Sequence, residues 1–327
     1  MTSATPETPR AAHESTPTRQ VRVFTRPLLA RDGRRPVRIE PVDGTALSPV
    51  ADRPRLGEYL RMLWQRRHFI VADARAKVIS GTSGNLLGQA WLVLNPLLDA
   101  AVYLVIFGLL LRSNRGIDNF IGYLIIGVFM FRFTTSCMTG GARSVIAAKS
   151  LVRSFSFPRA ALPVATVARQ TLSFSPAFVT MLILVLLTRP GATDDWHAPI
   201  TLISWRWLLV IIVLVLQLMM NLGLALLAAR VTTRIPDFSQ VIGVFARFWL
   251  YGSAVFFSFE RFIGHPQLLQ AVQLNPMYRV LEITRDCMLY GVTPSWQAWT
   301  ILASWAVGLL VVGILVFWWG EETYGAV

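Results

Sequence analysis

Six long apolar stretches constrain this chain more than any other feature. They lie at 91–111, 120–138, 160–187, 207–229, 239–259 and 296–319. Each is close to the roughly 20 residues that a helix needs to cross a hydrocarbon core about 30 Å thick. Inside lipid only helices and closed barrels satisfy their own backbone groups, and runs of this length are helices. The expected fold class is therefore an all-α integral membrane protein with six transmembrane helices. The wider balance agrees: 54% of the 327 residues are hydrophobic and 15% are charged, with mean hydropathy +0.51. An ordinary soluble domain carries about 25% charged residues.

Charge placement orients the spans. Net charge is +13, but fourteen of the 29 arginines precede residue 76, ahead of the first apolar run. That distribution is a positive-inside signal rather than a nucleic-acid-binding face, so no nucleic acid is expected as a partner. The tail and the 139–159 and 230–238 loops hold 21 Lys and Arg, against 7 in the other three loops. Both termini are thus expected in the cytoplasm, in a bacterial plasma membrane. Trp91, Trp205, Trp207, Trp296, Trp318 and Trp319 sit near span ends, where an aromatic belt belongs.

Three regions organise the chain. Residues 1–54 are rich in Pro, Thr, Ala and Arg and lack the apolar core of a signal peptide, which predicts a disordered basic cytoplasmic tail. Residues 55–90 carry Leu56, Tyr59, Leu60, Leu63 and Trp64 at helical spacing, then Ile70, Val71, Ala74 and Val78, among basic residues. This predicts one amphipathic helix along the inner membrane surface, joined by an elbow at 81–88 to the six-span domain of 91–327. Within that domain, 140–157 has the pattern of a cytoplasmic amphipathic helix ended by Pro158. Residues 260–291 form a structured segment on the outer side, with Asn275 as N-cap, Pro276 at the first helical position and Gly291 as stop.

Catalytic signatures are thin. Lys77 and Lys149 are the only lysines and neither follows a phosphate-binding glycine loop, so the chain lacks that route to nucleotide hydrolysis. Cys137 and Cys287 lie in or beside apolar helices, with neither a metal nor a disulfide pattern. Asp194, Asp195 and His197 suit either a solvated loop or a divalent ion. No metal, cofactor or catalytic residue is expected in this chain.

The polar groups inside the spans are more informative. Arg132, Arg169 and Arg247 lie well within their spans, where an unpartnered arginine costs at least about 2.5 kcal/mol. They either line a conduit that meets phosphate and sugar hydroxyls or pair with backbone carbonyls or Asp99. Phe129, Phe131, Phe245, Trp249 and Phe256 either stack on sugar faces along that conduit or pack helices together.

Several segments in order resemble one family. They are GNLLGQAWLVLNPLL from Gly84, SLVRSFSFPRAALPVA from Ser150, TTRIPDFSQVI from Thr232 and NPMYRVLEITRDCMLYG from Asn275, with the ending FWWGEETYG. Together they resemble the permease subunits of ABC exporters of the O-antigen, teichoic-acid and lipid-linked galactan class, over about Leu56 to Tyr324. The resemblance implies a homodimer carrying two copies of a separate nucleotide-binding ATPase, which holds the ATP and Mg. It implies a coupling helix around Lys149, Arg153, Phe155, Phe157, Pro158 and Arg159, and an outer gate at 260–291. It also implies a glycan substrate on a polyprenyl diphosphate. Arginine outnumbers lysine 29 to 2, a GC-rich signature that favours a galactan precursor among those glycans. Arg132 stands where relatives often carry an uncharged polar residue. The competing readings are an ABC permease for a small lipid or drug, and a membrane-embedded glycosyltransferase.

Overall fold

The computed structural model describes residues 54–82, 88, 90–111, 117, 119–148, 158–188, 204–258 and 266–321. All elements among them are helical: α1 (Leu56–Gln65), α2 (Arg67–Thr82), α3 (Ala90–Tyr103, continued as a π-helix over Leu104–Leu110), α4 (Phe120–Ala147) and α5 (Ala161–Leu187). Next come α6 (Leu209–Arg234, entered by a 3-10 turn at Trp205–Leu208), α7 (Phe238–Gly252), α8 (Pro266–Gln273), α9 (Pro276–Arg285, continued as a π-helix over Asp286–Tyr290) and α10 (Trp296–Trp319).

Among the described residues five helices are long and apolar enough to span: α3, α4, α5, α6 and α10, with the flanking turns of α3 and α6. The stretch expected as a span at 239–259 departs from that pattern. Its helix α7 ends at Gly252 after 15 residues, about 22 Å at 1.5 Å per residue and short of a bilayer core. The chain breaks at Ser253–Phe257, with Ala254 in the left-handed region at φ 55°. The reason is tertiary. Arg285 donates to the carbonyls of Ala254 (3.0 Å) and Val255 (3.3 Å), and the Tyr123 hydroxyl donates to those of Ala254 (2.9 Å) and Phe257 (3.0 Å). These donors stand in for the helical bonds that the break forgoes.

α4 is the centre of the bundle. Of its most apolar window 78% is buried, against 17–39% for the other four spans. One side presents Ile126, Met130, Phe133 and Cys137, all buried against α5 and α6. Gln217 of α6 donates to the Met130 carbonyl and the Thr134 hydroxyl, both at 2.9 Å, and pins the two helices together. The neighbouring glycines mark close approaches. A Cβ at Gly141 would lie 2.5 Å from that of Ala225 on α6, and one at Gly140 would lie 3.0 Å from Thr166 on α5. Residues 140–147 therefore complete α4 and do not begin a separate cytoplasmic helix, as the pattern had suggested.

The predicted surface helix is two helices rather than one. α1 ends at Gln65 with Arg66 as its C-cap, and α2 then packs on α5 through Ile70, Ala161 and Ala165. Residues 1–53, most of the elbow and the 189–203 loop with Asp194, Asp195 and His197 lie outside the described residues.

Candidate functional site

A second side of α4 carries Arg132, Thr135, Ser136, Thr139 and Arg143 at helical spacing, with Ser144 at its edge. Three cavities open along it. The first, of 330 Å³, is lined by Arg132 and Ser136 with Trp91 and Asn95 of α3 and Gln170 and Phe174 of α5. The second, of 280 Å³, is lined by Asp99 and Tyr103 of α3, Arg132, Thr135, Ser136 and Arg247 of α7. The third and largest, of 670 Å³, is lined by Lys77 of α2, Arg143, Ser144, Arg169, Gln170 and Thr166. Ser136 lines all three, so they neighbour one another along the polar face of a single helix.

All three intramembrane arginines face this track, and they differ in partnership. Arg132 forms an ion pair with Asp99, and both side chains remain nearly half exposed to the cavities (42% and 48%). Arg169 and Arg247 make no hydrogen bond or ion pair with any described residue. Unpaired guanidinium at this depth requires water or an anion beside it.

The aromatic residues divide. Phe129 lines the first cavity and Phe131 the second. Phe245 is 54% exposed on the outer face of α7, tilted against Trp249 at 5.8 Å. Trp249 packs edge-on against Phe131, and its indole N–H donates to the Asn275 carboxamide at 2.9 Å. Phe256, expected on the conduit, is fully buried and stacks on Phe107 at 4.4 Å. The break after α7 turns it inward, which makes it a core residue.

At one end of the bundle the motif segment around α9 clamps the broken helix. The Asn275 side chain accepts from Met277 N–H (3.0 Å) and donates to the Gly252 carbonyl (2.9 Å). The Arg285 guanidinium lies 3.3 Å from the ring centre of Tyr123 and also donates to that residue's carbonyl. Arg279 spans from the Gln273 carbonyl (2.7 Å) to the Glu282 carboxylate (2.6 Å), tying α8 to α9. Gly291, at φ 62°, ends the segment as its sequence position suggested.

The other end carries a second knot. The Tyr59 hydroxyl of α1 donates to Glu321 at 2.8 Å and accepts from Ala160 N–H at 3.2 Å. Arg159 donates its backbone N–H to the same carboxylate at 2.9 Å and its guanidinium to the Glu321 carbonyl. Burial pushes the Glu321 carboxyl above its ordinary range, and the Arg159 and Tyr59 donors act against that shift. Of the residues assigned to the coupling helix, Pro158 and Arg159 are thus placed beside α1 and the end of α10. Lys149, Arg153, Phe155 and Phe157 lie outside the described residues.

Sequence reasoning overlooked Ser136, Thr139 and Gln170. Their signal was available as small polar residues recurring on one helical face beyond Arg132. No sequence signal pointed to Tyr123 or to the joint between Tyr59 and Glu321.

Five apolar helices long enough to span, one of them central and carrying a polar track, make this a multi-pass membrane protein. A family model described as ABC-2 type transporter matches residues 78–289, and the chain belongs to that family. It is 22% identical over 258 residues to the O-antigen export system permease protein RfbA of Myxococcus xanthus, covering 79% of this chain and 94% of that protein. It is 25% identical over 237 residues to the protein of the same name from Klebsiella pneumoniae, covering 71% and 84%. The resemblance drawn from the ordered motifs therefore holds. The chain is a transporter subunit.

Proposed function

We propose that the chain forms the membrane path of an ATP-driven exporter carrying a lipid-linked polysaccharide from the cytoplasm to the outer face of the plasma membrane. The observation that carries this reading is the polar and cationic face of α4, partly open to three neighbouring cavities that share Ser136. Hydroxyls, an amide and guanidinium groups suit sugar hydroxyls and phosphate, and a neutral apolar cargo has no use for them. The names of the relatives point to the same class of cargo.

In this reading the knot of Tyr59, Arg159 and Glu321 lies on the cytoplasmic side, and the Asn275–Gly291 clamp lies outside. Two copies of the chain pair with two copies of a separate ATPase, which binds ATP and Mg. The Lys149–Arg159 segment receives the ATPase's motion and passes it through Arg159 to α1 and α10. A galactan precursor on a polyprenyl diphosphate is the favoured cargo.

The test follows radiolabelled lipid-linked glycan by membrane side and chain length after depletion of the protein. Full-length glycan retained on the cytoplasmic face is expected. Normal delivery to the outer face would sink the reading and shift the cargo to a small lipid or drug.

A further inference from the structure

The described residues lining the three cavities include five cations, Lys77, Arg132, Arg143, Arg169 and Arg247, and a single carboxylate, Asp99. Lys77 shares its charge with Asp73 one turn away, at 2.9 Å. Arg143, Arg169 and Arg247 have no hydrogen-bonding or ionic partner among the described residues. The one acid of the track is therefore spent on one arginine, and that arginine occupies a particular place. Arg132 lines both the first and the second cavity, whereas Arg143 and Arg169 line only the largest and Arg247 only the second. The pair between α3 and α4 thus stands where the first two cavities meet, with unpaired arginines in the second cavity and in the neighbouring largest one.

A salt bridge closed off from solvent could not exchange its partner for a competing ion. This one is nearly half exposed on both sides to a space that favours anions. Arginine binds phosphate oxygens in the same two-point geometry as a carboxylate, so the pair can be exchanged by an entering phosphate.

We propose that Arg132 and Asp99 form a displaceable charge gate for the phosphate head of the lipid carrier, with Asp99 holding the Arg132 site until a phosphate arriving from Arg143 and Arg169 takes its place. Asp99 then acts as a built-in competitor. It lowers affinity at this point of the track, so the head does not stall there.

The inference rests on the export reading, but the two fail separately: that reading in the labelled-glycan assay in cells, this one in a binding assay. The full-length chain in phosphatidylcholine nanodiscs is titrated with radiolabelled farnesyl diphosphate, with farnesol and trigalacturonate as comparisons. Farnesyl diphosphate binding is expected, with farnesol at least tenfold weaker. Asp99→Asn is expected to tighten it by about tenfold, since Arg132 is left without its competitor. Arg132→Gln weakens it by a similar factor, and Asp99→Asn combined with Arg132→Gln behaves as Arg132→Gln alone. Arg169→Gln breaks no ion pair, and it weakens binding about tenfold even if the Asp99 variant fails to fold. Unchanged or weaker binding in a folded Asp99→Asn protein overturns the gate. So does unchanged binding in Arg169→Gln, or trigalacturonate held in preference to farnesyl diphosphate.

Discussion

Arg285 offers the sharpest test of how the broken helix is held. Replacing it with Met keeps an unbranched side chain in the site while removing the guanidinium. Two of its three acceptors keep other partners: the Ala254 carbonyl retains the Tyr123 hydroxyl, and Tyr123's own carbonyl lies within α4. The Val255 carbonyl loses its guanidinium donor. A stranded buried carbonyl costs about 1–3 kcal/mol, and loss of a desolvated cation–π contact about 2 kcal/mol more. Met regains part of this because no charge has to be buried. The net cost is roughly 3 kcal/mol, or on the order of a hundredfold in the equilibrium for opening the clamp.

The reporter is already in place. Cys287, two residues on, is fully buried in the same turn, and Cys137→Ser removes the other thiol. Maleimide labelling of Cys287 in that background should rise by on the order of a hundredfold with Arg285→Met. Arg285→Lys should fall between the two, because a single ammonium cannot stack on Tyr123 and reach several carbonyls at once. Labelling within threefold of the parent, with an unchanged melting temperature, would refute the claim that Arg285 secures the break.

Three further outcomes are expected. At Gly223 on α6 an added Cβ would run into the Leu309 backbone of α10, so Gly223→Ala should cost about 1–3 kcal/mol, seen as a lower thermal midpoint in detergent. Gly308→Ala, where nothing lies within 4 Å, is the neutral control. The Glu321 carboxyl is raised by burial, so the folded state holds its proton more tightly than the unfolded one; stability is full below the ordinary carboxylate range and declines as pH rises through the raised value. Thermal unfolding across that window should show the decline in the parent and a flatter profile in Glu321→Gln; equal slopes would remove the assignment. Arg153→Ala and Phe155→Ala should leave ATPase turnover in the complex while lowering export at least tenfold, measured by the labelled-glycan assay alongside phosphate release; unchanged export would remove the coupling role.

Much of the architecture is written in local composition. Runs of some twenty apolar residues can do little but span, so the ends of α5 and α10 fall within a residue or so of where hydropathy alone puts them. Asn275, Pro276 and Gly291 likewise act through their own backbone geometry, and they start and stop their segment as expected. The intramembrane arginines were legible as positions that need a partner or water for the same reason, since a charge in lipid needs a neighbour wherever it sits.

Tertiary structure decided the rest, because the deciding partner lay far along the chain. The 239–259 stretch is apolar enough to span, yet Arg285 and Tyr123 reach in to take its carbonyls and end the helix at Gly252. The Gly140–Gly141 pair looks like a loop, but close approach by α5 and α6 makes it the packed inner end of α4. Whether Arg132 met a carboxylate, a carbonyl or solvent depended on where α3 placed Asp99, and no periodicity encodes that distance. Hydropathy acts residue by residue and survives in the sequence, whereas pairing is a property of two positions that only the packed bundle brings together.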